Sequence, residues 1–191
     1  MAQLEQVKVA LSGDGGDELF GGYNTYPYVA LASHLLRIPQ GLRTQIGNAL
    51  LACGTGKIQR HASLLGQHDL WQVFLYLNER TVAKESDAGK LLIDGRNDLL
   101  RNSTFSETFR AAAGRGCVQA ALYTDSMTYL TDDILTKVDR ASMAVSLEAR
   151  IPFLDFRVAE YAMRLSETMK MGPWRQTRKR VLRALLAKYV P

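Results

Sequence analysis

Ser12-Gly13-Asp14-Gly15-Gly16-Asp17-Glu18-Leu19-Phe20-Gly21-Gly22-Tyr23 follows an apolar run, Val7-Lys8-Val9-Ala10-Leu11, near the start of this 191-residue chain. The stretch sets three carboxylates within five positions, among glycines. Like charges that close repel one another and shed water reluctantly, so a folded chain needs a reason to gather them. A divalent cation carrying phosphates is one such reason. Glycines let backbone N–H groups approach a bulky anion and accept dihedrals closed to other residues. In open α/β sheets, ligands bind beyond the carboxyl ends of the strands, where this run would sit. A second reading needs no ligand: a polar strand-to-helix turn in which Asp17 and Glu18 complement a helix N-terminus. Glycine-rich turns are common enough that the run by itself leaves both open.

Working outward, the chain reads as mostly helical beyond its opening strand. Apolar clusters at three- and four-residue spacing predict a helix from Asp17 to Arg37, interrupted at Pro27. Pro39 starts a second helix to about Ala52, with Leu42, Ile46, Ala49 and Leu50 as its inward stripe. Cys53-Gly54-Thr55-Gly56 is turn chemistry. Shorter helices are expected near 60–65, 69–82 and 86–92, a polar surface loop at 94–104, and a longer helix from about Gly116 to Met127. Thr131 reads as an N-cap, with Asp132 and Asp133 in the first turn of a helix reaching about Val145. Ile134, Val138, Ala141 and Val145 form its apolar stripe, and Asp133, Lys137 and Arg140 a neighbouring polar face. Asp133 and Lys137 form an i,i+4 pair. Pro152 pushes Ile151 towards an extended conformation, ending the helical stretch. Asp155 then caps a helix from near Phe156. Glu148 and Arg150 read first as structural partners at this turn and only second as substrate contacts.

Composition narrows the class. A length of 191 residues suits one domain, and 47% hydrophobic content can build a core. No apolar run approaches the roughly 20 residues that span a bilayer, and no signal-peptide pattern opens the chain. Cys53 and Cys117 lack metal-type spacing and suggest a reducing, cytoplasmic setting, with a single disulfide as the alternative. The net charge is +5, and it is concentrated at the end. Residues 157–191 carry nine Lys or Arg against Glu160 and Glu167, a balance of +7, so the remainder sums to −2. These cations sit among Leu, Val and Ala at helical spacing with little aromatic interleaving. Attraction for a polyphosphate explains them at least as well as nucleic acid does. Neither a nucleic-acid nor a membrane partner is expected.

Residues 129–155 read Tyr-Leu-Thr-Asp-Asp-Ile-Leu-Thr-Lys-Val-Asp-Arg-Ala-Ser-Met-Ala-Val-Ser-Leu-Glu-Ala-Arg-Ile-Pro-Phe-Leu-Asp. Taken with the Ser12–Tyr23 run, in that order, this resembles the synthetase domain of glutamine-hydrolysing asparagine synthetases, a domain shared with related amidotransferases and β-lactam synthetase. The resemblance runs from about Val7 to Pro191 and is weakest through 37–115. It implies an α/β domain of the adenine nucleotide α-hydrolase-like class, of which this piece is itself mainly α-helical with one short N-terminal strand. It also implies Mg-ATP binding, adenylylation of the aspartate side-chain carboxylate, and attack by glutamine-derived ammonia to give asparagine, AMP and pyrophosphate.

The family's phosphate loop, Ser-Gly-Gly-x-Asp-Ser, and the cysteine that opens its glutaminase domain are not found here. Residues 1–191 are therefore expected to be a C-terminal part of the ATP-binding domain. By the same resemblance, Asp17 is a magnesium ligand. Ser12, Gly13 and Asp14 contact the nucleotide, and Asp14 takes a catalytic glutamate's place with a shorter reach. Tyr23 lines the substrate pocket, and Lys137 faces the site. Trp174-Arg-Gln-Thr-Arg-Lys-Arg-Val-Leu-Arg183 resembles the family's Gly-Lys-x-x-Leu-Arg element, which makes Lys179 the lysine that stabilises developing charge. Arg178 stands where glycine is common in the family. A solvated basic face is the plainer account of Lys179. A piece with one magnesium ligand is expected to bind Mg-ATP weakly and to make no amide alone. A homodimer is compatible with the resemblance. The rival readings are the same adenylate chemistry on another acid (a β-lactam precursor or a cell-surface sugar acid) and a non-catalytic helical interaction module.

Overall fold

The structure is a computed structural model that describes residues 7–53, 57–78, 104–172 and 178–190. The helix expected at 86–92, the turn at 54–56, nearly all of the loop expected at 94–104 and Trp174 lie outside the described residues. The chain divides into two units: residues 1–23 with 122–191, and residues 24–121.

The first unit begins with strand β1 (Val9–Leu11). A second strand that periodicity did not reveal, β2 (Glu148–Arg150), pairs with it in parallel, Val9 opposite Glu148 and Leu11 opposite Arg150. Flanking bonds extend the ladder at both ends, from Glu148 N to Lys8 O and from Ser12 N to Arg150 O, each 2.8 Å. The sequence hides β2 because three residues containing Glu and Arg show no apolar alternation; only the partner strand makes them a strand. The described residues are thus mainly helical, with one two-stranded parallel sheet in the first unit.

Helix α1 (Gly16–Phe20) leaves β1 through a tight turn. Gly15 takes φ 78°, left-handed backbone open to glycine, and Gly21 at φ 71° closes the helix in the same way. The helix expected over Asp17–Arg37 therefore breaks at Gly21 and not at Pro27. Pro27 falls in the first turn of α2 (Thr25–Leu35), where its missing N–H costs nothing. Leu19 and Phe20 enter a core with Ala162 and Leu165, against which Phe153, Leu154, Val158, Val181 and Leu182 pack. Full burial of Leu19 or Phe20 contributes about 1.5–3 kcal/mol each. The Phe20 and Phe153 rings meet edge-on at 5.8 Å. This core holds α1 on one side and so leaves Asp17 on the other, partly exposed.

Thr131 is not an N-cap. The helical backbone runs on from Tyr129 to Leu135 as a π-helical segment, and an α-helix follows from Thr136 to Met143. The Thr131 hydroxyl donates back to the carbonyls of Met127 (3.0 Å) and Thr128 (3.1 Å), so it serves the preceding turn. The expected inward stripe is only half realised: Ile134 and Val138 are partly buried, while Ala141 is exposed and Val145 is 72% exposed. Pro152–Leu154 forms a 3-10 turn, and the Asp155 carboxylate caps Phe156–Arg164 by accepting from Arg157 N at 2.9 Å, as the sequence predicts. Glu148 and Arg150 pair at 2.7 Å on the surface. The last described helix is Arg180–Leu186.

In the second unit, α3 (Gln40–Cys53) turns a different face inward from the one expected. Leu42, Ile46, Ala49 and Leu50 are exposed, and Arg43 and Gly47 are buried. Gly47 allows backbone approach to α4 (Lys57–Leu65): a β-carbon there would lie 3.2 Å from Ala62 O. Arg43 satisfies the carbonyls of Ile38, Leu65 and Gln67 at 2.8–3.2 Å. Helix α5 (Leu70–Asn78) falls where a helix is expected. Helix α6 (Thr104–Ala112) does not, although Thr104 and Glu107 with Phe105, Phe109 and Ala112 carry its signal. Trp71 and Phe74 meet Phe105 and Phe109 with ring centroids 5.2–5.4 Å apart. Helix α7 (Cys117–Met127) matches expectation.

Candidate active site

The turn after β1 carries Ser12, Gly13 and Asp14 of the predicted site, and Asp17 follows in α1. Gly13 is exposed, and among the described residues nothing lies within 4 Å of where its β-carbon would stand. That leaves its backbone open to an approaching ligand. Ser12 and Asp14 engage one another across it: the Ser12 hydroxyl donates to Asp14 Oδ2 at 2.5 Å. The Ser12 proton is therefore committed to Asp14, and its oxygen accepts from Asp14 N at 3.4 Å.

Asp17 meets Lys179. The Nζ–Oδ1 distance is 3.0 Å, and both side chains are about one-third exposed. Two motifs from opposite ends of the chain thus converge on one ion pair. Gly22 forms the floor beneath it: a β-carbon there would stand 1.7 Å from Asp17 Oδ1 and 2.4 Å from Lys179 Cε. Lys179 has left-handed backbone, φ 52°, uncommon for a residue with a β-carbon. Its solvated-face alternative does not describe this geometry.

Glu18 is marked by the sequence as one of three clustered carboxylates and as a helix-end charge, with no role of its own. It is buried, 1% exposed, and accepts the Tyr23 hydroxyl proton at 2.5 Å. Burial pushes its carboxyl above the ordinary 4.5, and the Tyr23 bond works against that rise. Burial, then the bond to Glu18, raises the Tyr23 phenol well above its ordinary value, so it keeps its proton and donates it to Glu18. The Tyr23 ring meets Tyr129 of the π-helical segment edge-on at 6.1 Å. Tyr23 is therefore held from both ends.

Lys137 stands apart from the Asp17–Lys179 pair in its contacts. It is 70% exposed and bonds to Asp133 at 2.6 Å, which first by hydrogen bonding holds its ammonium above the ordinary range. A surface depression lined by Pro152, Asp155, Arg157, Val158 and Tyr161 includes none of the candidate site residues. Among the described residues, no group of three or more His, Cys, Asp or Glu could hold a metal. No helix among them is long and apolar enough to cross a membrane.

Residues 1–191 match the family described as asparagine synthase. The chain belongs to the asparagine synthase family. Among curated proteins it is 34% identical over 187 residues to a putative glutamine-hydrolysing asparagine synthetase of Mycobacterium bovis, covering 98% of this chain and 28% of that protein. It is 32% identical to asparagine synthetase 1 of Bacillus subtilis, over 87% of this chain and 26% of the relative. Asparagine synthetase 3 of the same organism is 30% identical over 96% of this chain and 24% of its own length. The chain thus spans about a quarter of the length of the curated relatives it matches. No solved structure matches it.

Proposed function

We propose that this chain is the C-terminal part of an ATP-dependent synthetase domain. It would serve adenylylation of a carboxylic acid, aspartate by family, and subsequent attack of ammonia to give an amide. The observation that carries the proposal is the 3.0 Å contact of Lys179 with Asp17. A carboxylate able to ligate magnesium and a cation able to oppose phosphate charge stand side by side, the carboxylate on the helix that follows the turn with the open backbone of Gly13. Most of such a reaction is positioning and electrostatics.

The residues present fit a shared magnesium site rather than a complete one. Asp17 is partly exposed, carries a carboxylate, and would supply one ligand. Magnesium retains several waters and takes few protein oxygens when phosphates complete its shell. Bound there, it would neutralise charge on the triphosphate. In the same proposal, Gly13 N–H and Ser12 Oγ would contact the nucleotide, and Asp14 would hold Ser12 in place. Lys179 would leave Asp17 for the phosphates, and Tyr23, fixed by Glu18, would wall the acceptor pocket. Lys137 would join only with a change of partner.

The sheet supports the reading as part of a longer domain. Parallel sheets are normally covered on both faces. Here Val7, Val9 and Leu11, on one face of β1, are all exposed, Leu11 to 77%. Helices of the rest of such a domain would cover that face, and further strands would pair along the sheet edges.

The test is lysine acylation read by mass spectrometry, with and without Mg-ATP. Millimolar Mg-ATP is expected to protect Lys179, and Asp17→Asn to abolish that protection. No protection at saturating nucleotide would refute the site. Amide synthesis by the 191 residues alone would refute the partial-domain reading.

A further inference from the structure

We propose that Arg178 is a positioning residue that fixes Lys179 against Asp17; the proposal rests on the reading of that pair as the nucleotide site. Arg178 Nη1 donates to Gly22 O at 2.8 Å. Gly22 is the residue whose backbone floors the Asp17–Lys179 pair. One guanidinium therefore ties the residue immediately before Lys179 to the surface on which the ion pair rests.

The backbone of Lys179 shows why a tie is needed. At φ 52° and ψ 39° it is left-handed, which costs a residue with a β-carbon roughly 1–2 kcal/mol. Such a conformation persists only where neighbours over-determine it. On its C-terminal side, Lys179 is held by the last helix, whose Arg183 N–H bonds to Lys179 O at 2.8 Å. Val181 and Leu182 of that helix pack against the core. On its N-terminal side, Arg178 makes the bond to Gly22. Gly22 is itself fixed, since its N–H bonds to Asp17 O at 2.8 Å. The circuit Asp17, Gly22, Arg178, Lys179 and back to Asp17 closes through two hydrogen bonds, one peptide link and one ion pair.

A glycine at position 178 would permit strained backbone nearby but could not supply this bond. Arginine supplies it from a planar guanidinium with several N–H donors. The consequence is a Lys179 amine delivered to one place instead of swinging over a basic surface.

The test compares acylation rates at three lysines in the full 191-residue chain: Lys179, exposed Lys188, and fully buried Lys170. In Arg178→Met, labelling at Lys179 is expected to rise about five-fold, the worth of one net hydrogen bond. Lys188 is expected to be unchanged and Lys170 to stay protected. Arg178→Lys, which keeps a donor, should recover part of the protection. An unchanged Lys179 rate in Arg178→Met overturns the proposal. So does a rise matched at Lys170, which would report general loosening. Nucleotide plays no part in this comparison, so failure of the Mg-ATP protection above would sink the site reading and leave the Arg178 result to be judged separately.

Discussion

Replacing Gly22 with alanine should separate the site from the fold. The new methyl would stand 1.7 Å from Asp17 Oδ1, 2.7 Å from Asp17 Cγ and 2.4 Å from Lys179 Cε. None of the three atoms is backbone. The Asp17 carboxylate and the lysine's far end can both swing away, so the steric cost falls at the low end of overpacking, about 1 kcal/mol. Splitting an ion pair about one-third exposed at each partner adds only about 0.5 kcal/mol. The sum, about 1.5 kcal/mol, lowers the melting temperature of a chain this size by roughly 3–6 °C. The arrangement nevertheless fails, because the two groups cannot keep their 3.0 Å contact around a methyl. Gly15→Ala is the control. Its backbone is left-handed, and the methyl would meet Leu154 Cδ2 at 2.6 Å within the packed core. Strain of roughly 1–2 kcal/mol and overpacking of about 1–3 kcal/mol make it the more destabilising change. Urea unfolding gives the stabilities, and a structure of Gly22→Ala gives the Asp17–Lys179 separation. If Gly22→Ala costs as much stability as Gly15→Ala, or leaves the pair intact, the assignment of Gly22 as the floor of the site is wrong.

Arg43→Ala should cost about 2–4 kcal/mol in urea unfolding, since three carbonyls lose a buried charged donor; Arg43→Lys should not restore it. Lys170, fully buried, is depressed by desolvation from 10.5 to about 8. Between pH 8 and 10.5 its unfolded form binds the extra proton, so its contribution to stability should rise with pH through that window and be absent in Lys170→Met, as pH-dependent unfolding will show. Asp155, held down to about 2, first by the Arg157 side chain, stabilises the folded state above the ordinary carboxylate range. That contribution should disappear as pH falls from 3.8 towards 2, and Asp155→Ala should flatten the acid limb. Lys137→Met should leave thermal stability unchanged, because the side chain is exposed and paired only within its own helical turn; a marked loss of stability would contradict its surface placement.

The candidate site was legible in the sequence where its chemistry is local. Carboxylates and glycines in a short run, a proline behind a helix end and an aspartate before Phe156 each act through neighbours a few residues away. The strand-to-helix turn and the Asp155 cap therefore follow from the chain itself. Where partners are distant, the sequence named residue types without their contacts. Lys179 could be singled out by likeness, but its position against Asp17 depends on two segments from opposite ends packing on one core. Glu18 gave no separate signal, because its burial under Tyr23 is a property of the packed turn. The same limit explains α3, where the most apolar stripe was the natural inward face. Close approach at Gly47 and carbonyls waiting for Arg43 outweighed apolar area. Periodicity measures what a helix could bury. Only the neighbouring elements decide which surface has space for the backbone and partners for its polar groups.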